Sequence, residues 1–246
     1  MRVEDSTSPE YGDFVARGIV VLPIGAIDGH GPHLPVSSDT IISTYLAHQL
    51  ATHVEALVLP AIPYSLKTDP PASGGEFPGV VNLRASTLTG IVLDVLRACY
   101  RQGARRFLIL DSHMANLGAV RESVHMFVEG APDARVMSVM WWDVTSEETR
   151  NEIARETGVS RKDDHHAAMV ETSLVMHITP NLVRHELVAD DRIPRRATYL
   201  ILPAPESLKT KTGVVYRASK ASPEIGKRLL DEMVSNLVDA VKLELL

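Results

Sequence analysis

Three short apolar stretches constrain this chain more than anything else in it. Residues 18–24, 106–110 and 136–142 are of strand length, and the first two break off into Gly-, Pro- or Asp-containing turns. Apolar residues at helical spacing follow each of these turns. Runs that are apolar throughout, rather than alternating, suit strands covered on both faces, as in a parallel sheet. Residues 56–59 form a further short strand, ended by Pro60. Strand, polar turn and helix in that order predict an α/β fold, and 246 residues suffice for one large domain spanning 1–246.

Helices are expected from Ser38 or Asp39 to about residue 52, from a Ser86 cap to Gly103, over 120–129 and 146–156, and around Leu174 to Ile178. A last helix opens at Ser222 with Pro223 in its first turn and runs to about residue 243. Residues 60–78 are rich in Pro, Gly and Ser. A loop this long is expected to be an active-site wall, anchored by Ile62, Tyr64 and Phe77. Residues 181–201 read as irregular, with an edge strand at 199–202.

The chemistry is concentrated in a few places. Asp28, His30, His33 and Asp39 fall within residues 28–39, on a loop that turns on Gly31, Pro32 and Pro35. In extended chain Asp28 and His30 leave on the same side, a spacing that suits metal ligands. Oxygen and nitrogen donors without thiolate favour Zn, Mn or Fe in a reactive site over a structural zinc. The alternative is that Asp39 only caps a helix and the histidines are solvated. His113 follows the strand 106–110, where ligands of parallel sheets bind. Trp141 and Trp142 end the next strand, pointing to opposite faces, so that either one lines a pocket or both pack in the core. Glu171, after His165 and His166, lies among small and apolar residues, where a carboxylate needs a partner.

A net charge of −6 and a pI near 5.9 oppose a nucleic-acid-binding surface, and the lone Cys99 permits no internal disulfide. No apolar stretch is long enough to span a bilayer, and residues 1–11 lack a leader's apolar core. A cytoplasmic protein acting on a small molecule, without a nucleic-acid or membrane partner, is expected.

Taken together, these stretches resemble the creatininase (creatinine amidohydrolase) family of metal-dependent hydrolases. The family signature Gly-Ser-x-Glu-Gln-His-Gly-Pro-His-Leu-Pro reads here as Gly25-Ala-Ile-Asp28-Gly-His30-Gly-Pro-His33-Leu-Pro35, with Asp39 beyond it. Phe77-Pro-Gly79, Asp111-Ser-His113-Met-Ala-Asn116 and His166-Ala-Ala-Met-Val-Glu171-Thr-Ser173 follow in family order. The resemblance covers nearly the whole chain. It implies a three-layer αβα sandwich with a mostly parallel sheet, two divalent metal ions, and hydrolysis of a small amide, cyclic amides included, by a metal-activated water.

Carried over residue by residue, Asp28 and His113 hold one ion, His30 the other, and Asp39 bridges them. Glu171 completes the second ion's shell, and His166 is the catalytic histidine that moves a proton to the leaving nitrogen. His33, three residues beyond His30, is expected to brace the loop or to support a metal ligand from behind. The resemblance also implies a homo-oligomer, up to a hexamer. Asp28 replaces the usual Glu, Ala115 stands where creatininase has a metal-binding Glu, and His165 and Met169 fall where members differ. The Ala115 departure counts against creatinine itself. It leaves open a formamide, a small peptide or a cyclic keto-sugar as substrate, or a non-catalytic metal-binding scaffold.

Overall fold

The computed structural model describes residues 1–69, 77–194 and 198–246. Its strands are β1 (Ile19–Ile24), β2 (Ala56–Val58), β3 (Ser65–Leu66), β4 (Asn82–Leu83), β5 (Arg106–Asp111), β6 (Arg135–Met140), β7 (Asp190–Asp191) and β8 (Tyr216–Arg217). Its α-helices are α1 (Ser8–Val15), α2 (Ser38–Leu50), α3 (Ala85–Arg101), α4 (Leu117–Gly130), α5 (Glu147–Thr157), α6 (Met169–Ile178) and α7 (Pro223–Glu244).

The central sheet has the order β2-β1-β5-β6, and all its pairs are parallel. β1 is buried at every position, as its unbroken apolar sequence requires. Alternate residues feed opposite layers. Ile19, Val21, Leu108 and Leu110 pack with α2, α6 and α7, whereas Val20, Leu22, Phe107 and Ile109 pack with α1, α3 and α4. Helices therefore flank the sheet on both faces, which makes the expected αβα sandwich. The short pairs β3 with β4 and β7 with β8 lie outside this sheet.

Several local expectations need correction. Ser38 and Asp39 lie inside the first turn of α2 rather than capping it, and Ser37 at the cap position makes no side-chain cap bond. α3 likewise begins before Ser86, with Arg84 at its cap position. β6 stops at Met140, so Trp141 and Trp142 enter a 3-10 turn (Trp141–Val144) and meet edge to face, 5.2 Å apart, instead of leaving a strand on opposite sides. No strand forms at 199–202. Its side chains are 43–61% exposed, and no sheet edge of the described residues reaches them. The Ser222 cap holds, its hydroxyl accepting from Ile225 N–H.

Within residues 60–79, Ile62 joins the core and its N–H donates to Pro23 O at 3.0 Å, but Tyr64 is 45% exposed and packs into neither core cluster of the described residues. The part of that expected wall at 70–76 lies outside the described residues.

Candidate metal centre

Because the central strands run parallel, their carboxyl ends gather at one edge of the sheet, and the functional side chains follow from there. The loop after β1 is closed by Asp28 N–H donating to Val36 O at 2.9 Å. Gly31 turns it with a φ of +68°, in a place where a Cβ would meet Val214 at 2.6 Å. Asp28, His30, His33 and Asp39 are thereby brought inward, and all are at most 2% exposed. β5 ends at Asp111, which places His113 beside them. The His113 N–H donates to Asp111 Oδ1 at 2.9 Å, and Asn116 Nδ2 donates to the same oxygen at 3.1 Å.

Asp39 is the meeting point. Its Oδ2 lies 2.9 Å from His113 Nδ1 and its Oδ1 lies 3.3 Å from His30 Nε2. His30 Nε2 is also 3.8 Å from Glu171 Oε2, yet it is buried and has no hydrogen-bond partner. His30, His166 and Glu171 each offer one donor atom, all within 4.8 Å of one another. His166 Nε2 donates to Gly29 O at 2.8 Å, which leaves Nδ1 unprotonated and 3.9 Å from Glu171 Oε2.

The turn before α6 presents this pair under strain. Ala167 takes a φ of +49°, unusual for a residue with a Cβ, and its N–H is held by Glu171 Oε2 at 2.6 Å.

Asp28 reaches the cluster indirectly. Its Oδ1 accepts from Gly29 N–H, and its Oδ2 accepts from Thr68 Oγ1 at 3.2 Å. Thr68 Oγ1 in turn lies 2.8 Å from His113 Nε2. His33 Nε2 sits 2.8 Å from Thr172 Oγ1 and its carbonyl accepts from Arg184 N–H, so it ties the loop to α6 and to the segment beyond it. His165 is exposed and bonded to Lys162 O. Sequence reasoning passed over Thr68, Asp111 and Asn116 as individual groups. A lone threonine in a long loop carries no motif, and only the folded chain brings it to Asp28 and His113.

The electrostatics bear on what the cluster can hold. Burial pushes His30 down, but the carboxylates of Asp39, Glu171 and Asp28 outweigh it and raise the imidazole to about 10. Burial pushes Asp39 up, and His30 with His113 more than reverses this, holding it well below the usual carboxylate range. Burial raises Glu171 and takes Asp111 to about 7, while burial and the His30 charge press His166 down to about 3. Buried carboxylates in this number call for cationic partners. A proton on His30 occupies the place in that balance that a metal ion would take. The donor set of two imidazoles and a glutamate, with an orphaned buried nitrogen at its centre, fits a catalytic divalent metal ion. A cavity of about 520 Å³ opens over the cluster, the size of a small-ligand site.

An αβα fold with carboxylates and imidazoles gathered under a cavity at its strand ends is the arrangement of a metal-dependent hydrolase. This chain belongs to the creatininase family: the family model described as creatinine amidohydrolase matches residues 4–241. The chain is 30% identical to the creatinine amidohydrolase of Pseudomonas putida over 98% of its own length and 96% of the relative's. It is 28% identical to a mycofactocin precursor peptide peptidase of Mycobacterium tuberculosis over 90% of its length and 84% of the peptidase's. Among solved structures, a manganese form of creatininase superposes with a TM-score of 0.93 at 29% identity, covering 99% of this chain and 98% of that one. A Zn-Zn form of a creatininase mutant gives 0.92 at 29% identity, with 99% and 97% covered.

Proposed function

We propose that this protein hydrolyses a carbon–nitrogen bond of a small amide at a pair of divalent metal ions. The reading is carried by Asp39, whose two oxygens each face a different imidazole. Asp28, His113 and Asp39 would hold one ion, and His30, Asp39 and Glu171 the other. Zn, Mn and Fe all suit such donors, and solved relatives in Mn and Zn-Zn forms support the first two. When bound, the ions supply Lewis acidity that brings a water's pKa toward neutrality and polarises a carbonyl.

His166 is the proton carrier in this reading. Its Nε2–H is fixed on Gly29 O, so Nδ1 is the atom that takes a proton and gives it to the leaving nitrogen. The 4.8 Å grouping with His30 and Glu171 supports a competing role for the same atom, as a ligand of the second ion, since one lone pair cannot serve both. His166→Ala separates the two. A carrier's loss removes turnover and leaves the metal content intact, and a ligand's loss lowers both.

The Pseudomonas relative acts on creatinine and the Mycobacterium relative on a peptide, which supports an amide as the bond cleaved and leaves the substrate's body to the cavity. A turnover screen of the Mn- or Zn-loaded protein against lactams, formamides, small peptides and creatinine is expected to find hydrolysis that needs the metal. Two bound ions without turnover of any of these would support the scaffold reading instead.

We also take the protein to be cytoplasmic and a homo-oligomer, up to a hexamer. The exposed apolar run at 199–202 supports assembly. No helix among the described residues is long and apolar enough to cross a membrane. A mass of about 27 kDa by light scattering would refute the oligomer.

A further inference from the structure

The cavity that bears Asp39, His113, His166 and Glu171 is also lined by the Trp141–Val144 turn and by α5, whose polar groups the hydrolysis above does not use. On α5, Arg150, Ile153 and Ala154 stand at i, i+3 and i+4 and so share one face, the face that lines the cavity. The Arg150 side chain is 13% exposed. Among the described residues its guanidinium makes no hydrogen bond, and its one ion-pair contact there is Glu147 Oε1, at 4.0 Å. Glu147 is itself 70% exposed and already engaged by Arg161. Asp143 and Glu232 add only longer-range attraction.

Two more donors on the same wall lack acceptors. Trp141 Nε1 and Thr145 Oγ1 are buried with no hydrogen-bond partner, and both residues line the cavity. Buried donors are rarely left unmatched, yet the indole and the hydroxyl have no acceptor among the described residues, and beside them the permanently charged guanidinium has only its 4.0 Å contact with Glu147. A planar guanidinium fork fits a carboxylate with two parallel hydrogen bonds, and of the two arginines among the described residues of the wall Arg161 is 54% exposed and paired with Glu147, which leaves Arg150 as the group to receive it.

We propose that this wall binds a carboxylate carried by the substrate. The molecule cleaved at the cluster is then a small acidic amide, with its carboxylate on Arg150 and its scissile bond toward Asp39. Creatinine has no carboxylate, so Arg150 selects against it. The position of the scissile bond rests on the hydrolase reading above, whereas carboxylate binding does not.

Calorimetric titration of the metal-loaded protein tests the idea without requiring turnover. The probes are two matched pairs, 5-oxoproline with 5-oxoprolinamide and N-acetylglycine with N-acetylglycinamide, together with inorganic phosphate. In at least one pair the acid is expected to bind about tenfold or more tightly than its neutral partner, the scale of a charge-assisted pair. Arg150→Gln should erase that preference and Arg150→Lys should keep part of it.

Equal affinity within both pairs, or no binding by either acid, overturns the proposal on the wild-type protein alone, whatever the variants do. A preference unchanged in folded Arg150→Gln, or phosphate binding more tightly than both acids, overturns it as well. A preference for acids in a protein that hydrolyses no amide would sink the hydrolase reading and leave this one standing. Turnover of neutral amides with no preference for acids would do the reverse.

Discussion

His113 Nδ1 lies 2.9 Å from Asp39 Oδ2, although the two residues are 74 positions apart in sequence. The first comes from the end of β5 and the second from the first turn of α2, so the contact exists only because β1 and β5 are adjacent and parallel. With His30 on the other carboxylate oxygen, Asp39 joins the two halves of the centre.

Asp39→Asn keeps the size of that side chain and removes its charge. Bound metal should fall from about two equivalents to below one, because both ions lose the shared carboxylate. Elemental analysis after dialysis reads this directly, and two ions held at wild-type affinity would contradict the bridging role.

Glu171→Gln is expected to cost one ion, leaving about one of about two equivalents bound. Circular dichroism should show an intact fold, since an amide oxygen can still accept from Ala167 N–H in place of Glu171 Oε2. If both ions stay at wild-type affinity, Glu171 only holds the turn before α6.

Chelation with EDTA should abolish hydrolysis, and Mn²⁺ or Zn²⁺ should restore it. Full activity in protein shown by elemental analysis to be metal-free would rule out the mechanism.

Thr68→Val removes the hydroxyl that links Asp28 Oδ2 and His113 Nε2 while keeping the side chain's shape. Groups that orient metal ligands typically contribute 10- to 100-fold, so a loss of about that size in metal affinity or turnover is expected. Competition with a chromogenic chelator measures the affinity, and an unchanged value would assign Thr68 to packing alone.

Gly226→Ala probes the layer beneath the site. A Cβ there would lie 2.0 Å from the carbonyl oxygen of Ser173, which is backbone of α6 and cannot swing aside. α6 and α7 would have to separate, an overpacking cost of about 1–3 kcal/mol or more. At about 2–4 °C per kcal/mol for a chain of this size, calorimetry should show Tm falling by several degrees. An unchanged Tm would mean that the helices separate freely.

The sheet and most of its helices were legible because the signal is local. β1 and β5 are continuously apolar and end in polar turns, and burial on both faces demands that of any parallel strand. The edges of elements were less legible. Ser38, Asp39 and Ser86 are good capping residues that lie inside their helices. A cap position depends on where the chain enters the helix, and the loop closed by Asp28 N–H and Val36 O sets that for α2. The same limit applied at 199–202, whose apolar side chains read as a strand although no sheet edge of the described residues pairs with them.

By itself the sequence determined the donor chemistry. Carboxylates and imidazoles without thiolates, concentrated at the ends of apolar runs, limit any metal held there to one that takes oxygen and nitrogen donors, because ligand type is a property of single residues. Only the tertiary structure decided how those donors share their work. It set Asp39 between His30 and His113, turned Asp28 toward Thr68, and brought His166 into the group with Glu171. It also placed Arg150, which no motif marked, on the cavity wall. Distances between residues far apart in sequence are fixed by strand order and helix packing, which no local pattern encodes.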